Sequence, residues 1–204
     1  MNDLNRPYRK KLMTHGLIYM GGKERDITIK DLSLTGVLAK LKPDQDCMDV
    51  KAIFNMLVAS TTIDLYLPEM RMIGEAEVVR VDMLNDHILL ALEFRNMAHD
   101  VDNGLHKRKV YRKNMTAPGK IFLDGAYRDF TAVNVSVDGL MVSLAESLAV
   151  EANEITAFEF ECLGLKGEIK VIWVKRSTDT GTLLGLHYVN IDQTTVKGIP
   201  RFER

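Results

Sequence analysis

Along this chain, apolar and polar residues alternate with a period of two in one segment after another. Ile27/Ile29, Leu90/Leu92/Phe94, Phe158/Phe160/Cys162 and Ile169/Val171/Trp173 follow this spacing. That is the pattern of antiparallel strands with one buried and one wet face. β-branched residues dominate several of these runs, and the spacing is not that of an amphipathic helix. Short strands at this density, separated by turn residues, predict barrels. The alternation puts Trp173 on the face of Val171 and Ile169, which favours a place in a core over the alternative of a stacking surface. Two stretches depart from it. The apolar run 52–58, behind the breakers Pro43, Asp44 and Asp46, predicts a short helix in a long loop. Part of 96–106 is expected to form another, with Gly104 stopping it.

The alternating pattern occurs twice. Segment 26–38 returns as 128–140, and a shift of 103 positions sets Asp31 on Asn134, Ser33 on Ser136, Gly36 on Gly139 and Arg9 on Arg112. Downstream, 74–79 resembles 167–172 and 90–94 resembles 184–188 with a slightly smaller shift, so the first half carries a longer middle loop. Such a repeat decides the architecture before any single motif does. The stretch 95–107, with Asp100, Asp102, Asn103 and Gly104, lacks apolar periodicity and is the natural junction. Two domains are therefore expected, 1–102 and 103–204.

Composition narrows the class. The 204 residues are 46% hydrophobic and 27% charged, the mix of an ordinary globular protein. A net charge of -1 gives no broad basic face for nucleic acid or an anionic membrane surface, so any anion site must be local. Aromatics interleaved with basic residues along one strand, as a nucleic-acid-binding barrel shows, are not found in the pattern. Arg6, Arg9, Lys10 and Lys11 precede an apolar run at 16–20 that is too short for a secretory signal, and no segment approaches the ~20 apolar residues of a membrane helix. The expectation is a cytoplasmic protein without membrane insertion. Cys47 and Cys162 stand far apart, as reduced, structural thiols do. The five histidines have no metal-ligand spacing, so no metal is expected. No phosphate-loop, nucleophile-elbow or zincin motif appears, so no enzyme is expected either.

The chemistry concentrates in the second half. Arg108 and Arg112 form an R-x-x-x-R pattern, followed by N-x-S-x-x-G at Asn134, Ser136 and Gly139. Separately, these read as a solvated basic linker and an ordinary turn. Together and in this order they resemble the PilZ family. That resemblance implies an all-β chain with minor helices, built as two tandem six-stranded antiparallel barrels. It also implies a bacterial cytoplasmic receptor for cyclic di-GMP. In it Arg108 and Arg112 clamp the ligand, pairing with phosphate oxygens or guanine edges and stacking on a purine. Asn134 would bond a guanine edge, Ser136 would offer a hydroxyl, and Gly139 would let backbone approach where a Cβ would clash. Lys107, Lys109 and Lys113 add local positive charge for a dianionic ligand.

The first half departs from that pattern. Asn5 occupies the place of Arg108, Arg6 lies one residue off, and the alternative register pairs Arg6 with Lys10, which lacks the guanidinium fork. Asp31, Ser33 and Gly36 are intact, so Arg6, Arg9, Asp31, Ser33 and Gly36 outline a second site of weak or absent binding, the alternative being a barrel that keeps the surface motif for domain contacts. Ala91 also stands where the second half has Gly185. The expected function is a non-enzymatic cyclic di-GMP effector, with no other cofactor. Ligand binding at the junction would change the interdomain arrangement and pass the signal to a downstream protein partner. The rival is a ligand-independent adaptor that docks proteins through sheet edges or loops. A homodimer, the ligand stoichiometry and the output are left open by the sequence.

Overall fold

In the computed structural model, residues 10–42, 44, 46, 49–99, 110–177, 181–193 and 196–202 are described. The chain divides into two compact units, 1–109 and 110–203. The expected boundary at Asn103 lies outside the described residues, as do Arg6, Arg9 and Arg108.

The first unit is a closed antiparallel barrel. Its strands are β1 (Lys10–Met20), β2 (Lys23–Leu32), β3 (Gly36–Leu41), β4 (Thr62–Leu67), β5 (Met72–Leu84) and β6 (His87–His99), in the order β1-β2-β3-β6-β5-β4. The β1–β2 hairpin turns on Gly21-Gly22 at φ of 62° and 80°. Two successive positive φ values give the turn whose twist matches the flanking strands. The period-2 residues fill the interior: Ile18, Ile27, Ile29, Leu41, Leu65, Leu67 and Leu90 are buried. Each such burial contributes on the order of 1.5–3 kcal/mol.

The long loop after β3 holds helix α1 (Val50–Leu57), at the place the apolar run predicts. Asp49 caps it by accepting the Ala52 N–H at 2.7 Å, which satisfies one of the free donors of the first turn. Ile53 and Leu57 are buried, while Phe54 and Val58 face outward. Arg25 secures the loop leading into α1. Its side chain is only 2% exposed, and the guanidinium donates to the Met20 carbonyl at 3.2 Å and binds the carboxylates of Asp44 and Asp46.

The second unit repeats this topology strand for strand. Its strands are β7 (Lys113–Asn114), β8 (Pro118–Leu123), β9 (Ala126–Val135), β10 (Gly139–Leu144), β11 (Ile155–Phe160), β12 (Leu165–Ser177) and β13 (Gly181–Ile191). Strands β8-β9-β10-β13-β12-β11 close through β11–β8 pairing, and β7 continues the line of β8 along β9. The expectation of two six-stranded barrels is met. Phe158, Phe160 and Ile121 anchor the second core, against which Val196 and Ile199 pack from the C-terminal segment. Asp124-Gly125, at φ of 51° and 76°, makes the same hairpin turn as Gly21-Gly22.

Three local expectations are corrected. Of the helix expected within 96–106, residues 96–99 instead continue β6 and pair with 72–75 of β5, and Met97 packs against the core, which a helix would forfeit; 100–106 lie outside the described residues. Cys162 does not extend β11, because a 3-10 turn at Glu161–Leu163 ends the strand and leaves the thiol free and exposed. Trp173 is not in the core. A β-bulge between Val171 and Trp173 inserts one residue, so Ile169 and Val171 point inward while Ile172 and Trp173 are exposed. Among the described residues, no helix is long and apolar enough to cross a membrane.

Candidate functional site

The second motif spans the β9–β10 turn. Ser136 is 4% exposed. Its N–H donates to the Gly139 carbonyl at 2.8 Å, its hydroxyl donates to the same carbonyl at 3.1 Å, and its oxygen accepts the Asp138 N–H at 3.3 Å. The hydroxyl expected to face a ligand therefore closes the turn, because a hydroxyl this buried needs partners and the turn supplies them. Gly139 also acts on the fold. A Cβ there would lie 2.0 Å from the Leu186 carbonyl oxygen, so the backbone that approaches is that of β13. Ser33 and Gly36 repeat the arrangement in the first barrel. Ser33 Oγ bonds both the carbonyl and the N–H of Gly36 at 3.0 and 3.1 Å, and a Cβ on Gly36 would meet the Leu92 oxygen at 2.1 Å.

Asn134 differs in kind from Ser136. It lies at the end of β9, half-buried, and its amide has no hydrogen bond among the described residues. The register places it in a row across the sheet, Asn114–Asn134–Met141–Gly185–Trp173, through successive antiparallel pairings. The Trp173 indole lies over Gly185, where a Cβ would sit 2.0 Å from Nε1. Gly185 is thus the residue that lets an aromatic plate lie flat on the outer face of the barrel. His187 pairs with Gly139 and is exposed beside the same row.

Arg112 arrives at this row along the backbone. It directly precedes β7, whose Lys113 and Asn114 pair with Val135 and Asn134, and it is exposed. Tyr111 fixes the segment. It is 7% exposed, its ring meets Phe202 at a centroid distance of 5.6 Å, and its N–H reaches the Arg201 carbonyl at 3.3 Å. The fold thus brings the Arg112 backbone, Asn134 and Trp173 to one outer surface beside the Ser136–Gly139 turn. Trp173 is the residue that alternation alone misassigned. The signal that would have found it is Gly185, a glycine in a strand interior that marks close approach by another group.

Residues 106–202 match the family model described as PilZ domain. The second unit is a PilZ domain. The first barrel repeats its strand order and its Ser33–Gly36 turn without the flat aromatic plate, since Arg80 and Ala91 stand where the PilZ domain has Trp173 and Gly185. Among solved structures, the chain is similar to PlzA of Borreliella burgdorferi in complex with c-di-GMP. Identity there is 14%, with 94% of this chain and 89% of that one covered, at a TM-score of 0.33. YcgR of Escherichia coli in complex with c-di-GMP matches at 12% identity, over 87% of this chain and 76% of that one, at a TM-score of 0.31. The Bacillus subtilis inhibitor of motility (MotI/DgrA) matches at 12% identity, over 89% and 90%, at a TM-score of 0.38. No curated protein matches the chain in sequence.

Proposed function

We propose that the PilZ domain binds cyclic di-GMP and that the chain is a receptor rather than an enzyme. The observation that carries this reading is the outer row in which an Asn134 amide without a partner among the described residues and the Trp173 plate flank Met141 and Gly185, next to the strand that delivers Arg112. A cyclic dinucleotide needs three things from such a surface: cations for two phosphates, a polar group for a guanine edge, and a flat face for a base. Arg108 and Arg112 supply the first, with the planar fork that matches phosphate. Asn134 supplies the second, since its amide carries both a donor and an acceptor. Trp173 supplies the third, where stacking contributes roughly 1–3 kcal/mol per base. Ser136 and Gly139 hold the turn that keeps Asn134 in the row.

Arg108 belongs to the stretch of sequence that joins the two units, so its capture by ligand alters the constraint between them. That change is the signal a protein partner in the cytoplasm would read. Isothermal titration of cyclic di-GMP into the intact protein tests the reading. Arg108→Ala and Arg112→Ala should each weaken binding by about 10- to 100-fold, the equivalent of one charge-assisted fork at ~1.5–3 kcal/mol. Arg9→Ala should leave it unchanged. Absence of binding to the intact protein overturns the reading in favour of a ligand-independent adaptor.

A further inference from the structure

The first barrel carries an element that the PilZ domain lacks. Helix α1 lies in the connection between β3 and β4, whereas 145–154 joins β10 to β11 without a helix. The helix packs through Ile53 and Leu57 and leaves the apolar side chains of Phe54 and Val58 exposed. Beside it runs β5, where the bulge between Val78 and Arg80 leaves Val79 exposed as well. The two elements flank a groove of about 460 Å³, with the buried Leu57 and Val78 at its base. Thr61 ties its two sides together. Its carbonyl accepts the Val78 N–H at 2.9 Å, and its hydroxyl donates to Glu77 at 3.3 Å. Contiguous apolar surface left open in this way marks an interaction site rather than a stray exposed side chain.

Of the described residues that line the groove, Arg80 alone is charged. It ends the outer row Asp31–Leu38–Ala91–Arg80. Its side chain is 62% exposed, and its only partner among the described residues is Asp82, at 2.8 Å between Nε and Oδ2. Both Nη amines are therefore open to an acceptor, and an exposed pair of this kind holds the guanidinium weakly. We propose that the groove between α1 and β5 binds an aliphatic monocarboxylate, with the alkyl chain along Phe54, Val58 and Val79 and the carboxylate on Arg80. Size, lining and charge each narrow the ligand. The volume lies in the range of small-molecule sites, and apolar walls with a single placed polar group are the composition of such sites. The walls favour methylenes, whose burial supplies the affinity. The guanidinium fork matches a carboxylate, leaves a neutral head group with half the complement, and repels an ammonium. None of the residues that would hold cyclic di-GMP takes part, so the two readings stand or fall separately.

Octanoate, hexanoate, 1-octanol and octylammonium, each below the concentration at which it forms micelles, are titrated into the full chain and followed by methyl NMR. Octanoate is expected to shift the methyl signals of Leu57, Val58 and Val79 and to bind at least threefold more tightly than 1-octanol. It should also bind at least fourfold more tightly than hexanoate, since a buried methylene is worth about two- to fourfold in affinity. Arg80→Gln should erase the preference for octanoate over 1-octanol while leaving 1-octanol binding unchanged. Phe54→Ser should weaken both at least fivefold. Both positions are exposed, and an unchanged spectrum of the ligand-free variants away from the groove shows that the barrel is intact. The proposal is overturned by shifts confined to residues away from the groove or by no shift at all. It is equally overturned if octylammonium binds as tightly as octanoate, if affinity does not rise from hexanoate to octanoate, or if the preference for octanoate survives Arg80→Gln.

Discussion

Single residues in the two motifs divide into those that make the turn and those that face outward. Ser136 spends its hydroxyl on Gly139 and Asp138, and Gly139 has no side chain because the β13 carbonyl of Leu186 occupies that space. Asn134 alone among the three keeps a polar group uncommitted within the described residues. A consequence is that Gly139→Ala should damage the protein before any ligand is added. The neighbour it meets is backbone in a closed barrel, which cannot move aside as a flexible side chain could. The expected cost is about 1–3 kcal/mol, as for overpacked cores, read as a lower urea midpoint of the ligand-free protein. Asn134→Ala should leave that midpoint within about 0.5 kcal/mol of the parent, as is usual for surface changes. Equal midpoints for Gly139→Ala and the parent would remove the packing account of this glycine.

At the scale of the element, the bulge in β12 decides the character of the site. One added residue between Val171 and Trp173 turns an indole from the interior to the outer face, above Gly185. The first barrel has a bulge at the matching place, between Val78 and Arg80, so the device is shared while the side chain it presents is not. Trp173 is the chain's only tryptophan, which makes it a reporter that needs no label. Its emission should change on adding cyclic di-GMP and saturate over the range where heat is released in the calorimeter. Arg112→Ala should abolish the change at the same ligand concentration. An emission spectrum indifferent to ligand that the calorimeter shows to be bound would take Trp173 out of the site. The strands themselves were legible from the alternation at 27–29, 90–94 and 169–171, because burial of one sheet face writes itself into every second residue. The bulge was not legible, since one inserted residue leaves the local composition unchanged.

At the scale of the molecule, two barrels of one topology carry opposite chemistry on the same outer row. Asp31, Arg80 and Glu93 line it in the first, and Asn134, Trp173 and His187 in the second. A dianionic ligand should therefore act on one unit. Hydrogen exchange measured with and without cyclic di-GMP should show added protection in the PilZ domain, at 111–114, 131–141 and 171–187. Strands β1 to β6 should remain unchanged, because a ligand stabilises the elements whose opening releases it. Equal protection of both barrels would mean that the first also holds the cyclic dinucleotide.

The sequence by itself determined the strand pattern, the duplication at a shift of 103 positions, the short helix at 50–57 and the paired motifs that mark the PilZ domain. These are properties of local periodicity and of residue order, which the chain carries without folding. Only the tertiary structure decided which face Trp173 occupies, that Ser136 and Gly139 serve the turn and the neighbouring strand, and that Asp31 and Arg80 end one row. The reason is physical. Each of those facts depends on which residues lie opposite one another across the sheet, and closing a barrel sets that register over separations that no local pattern encodes.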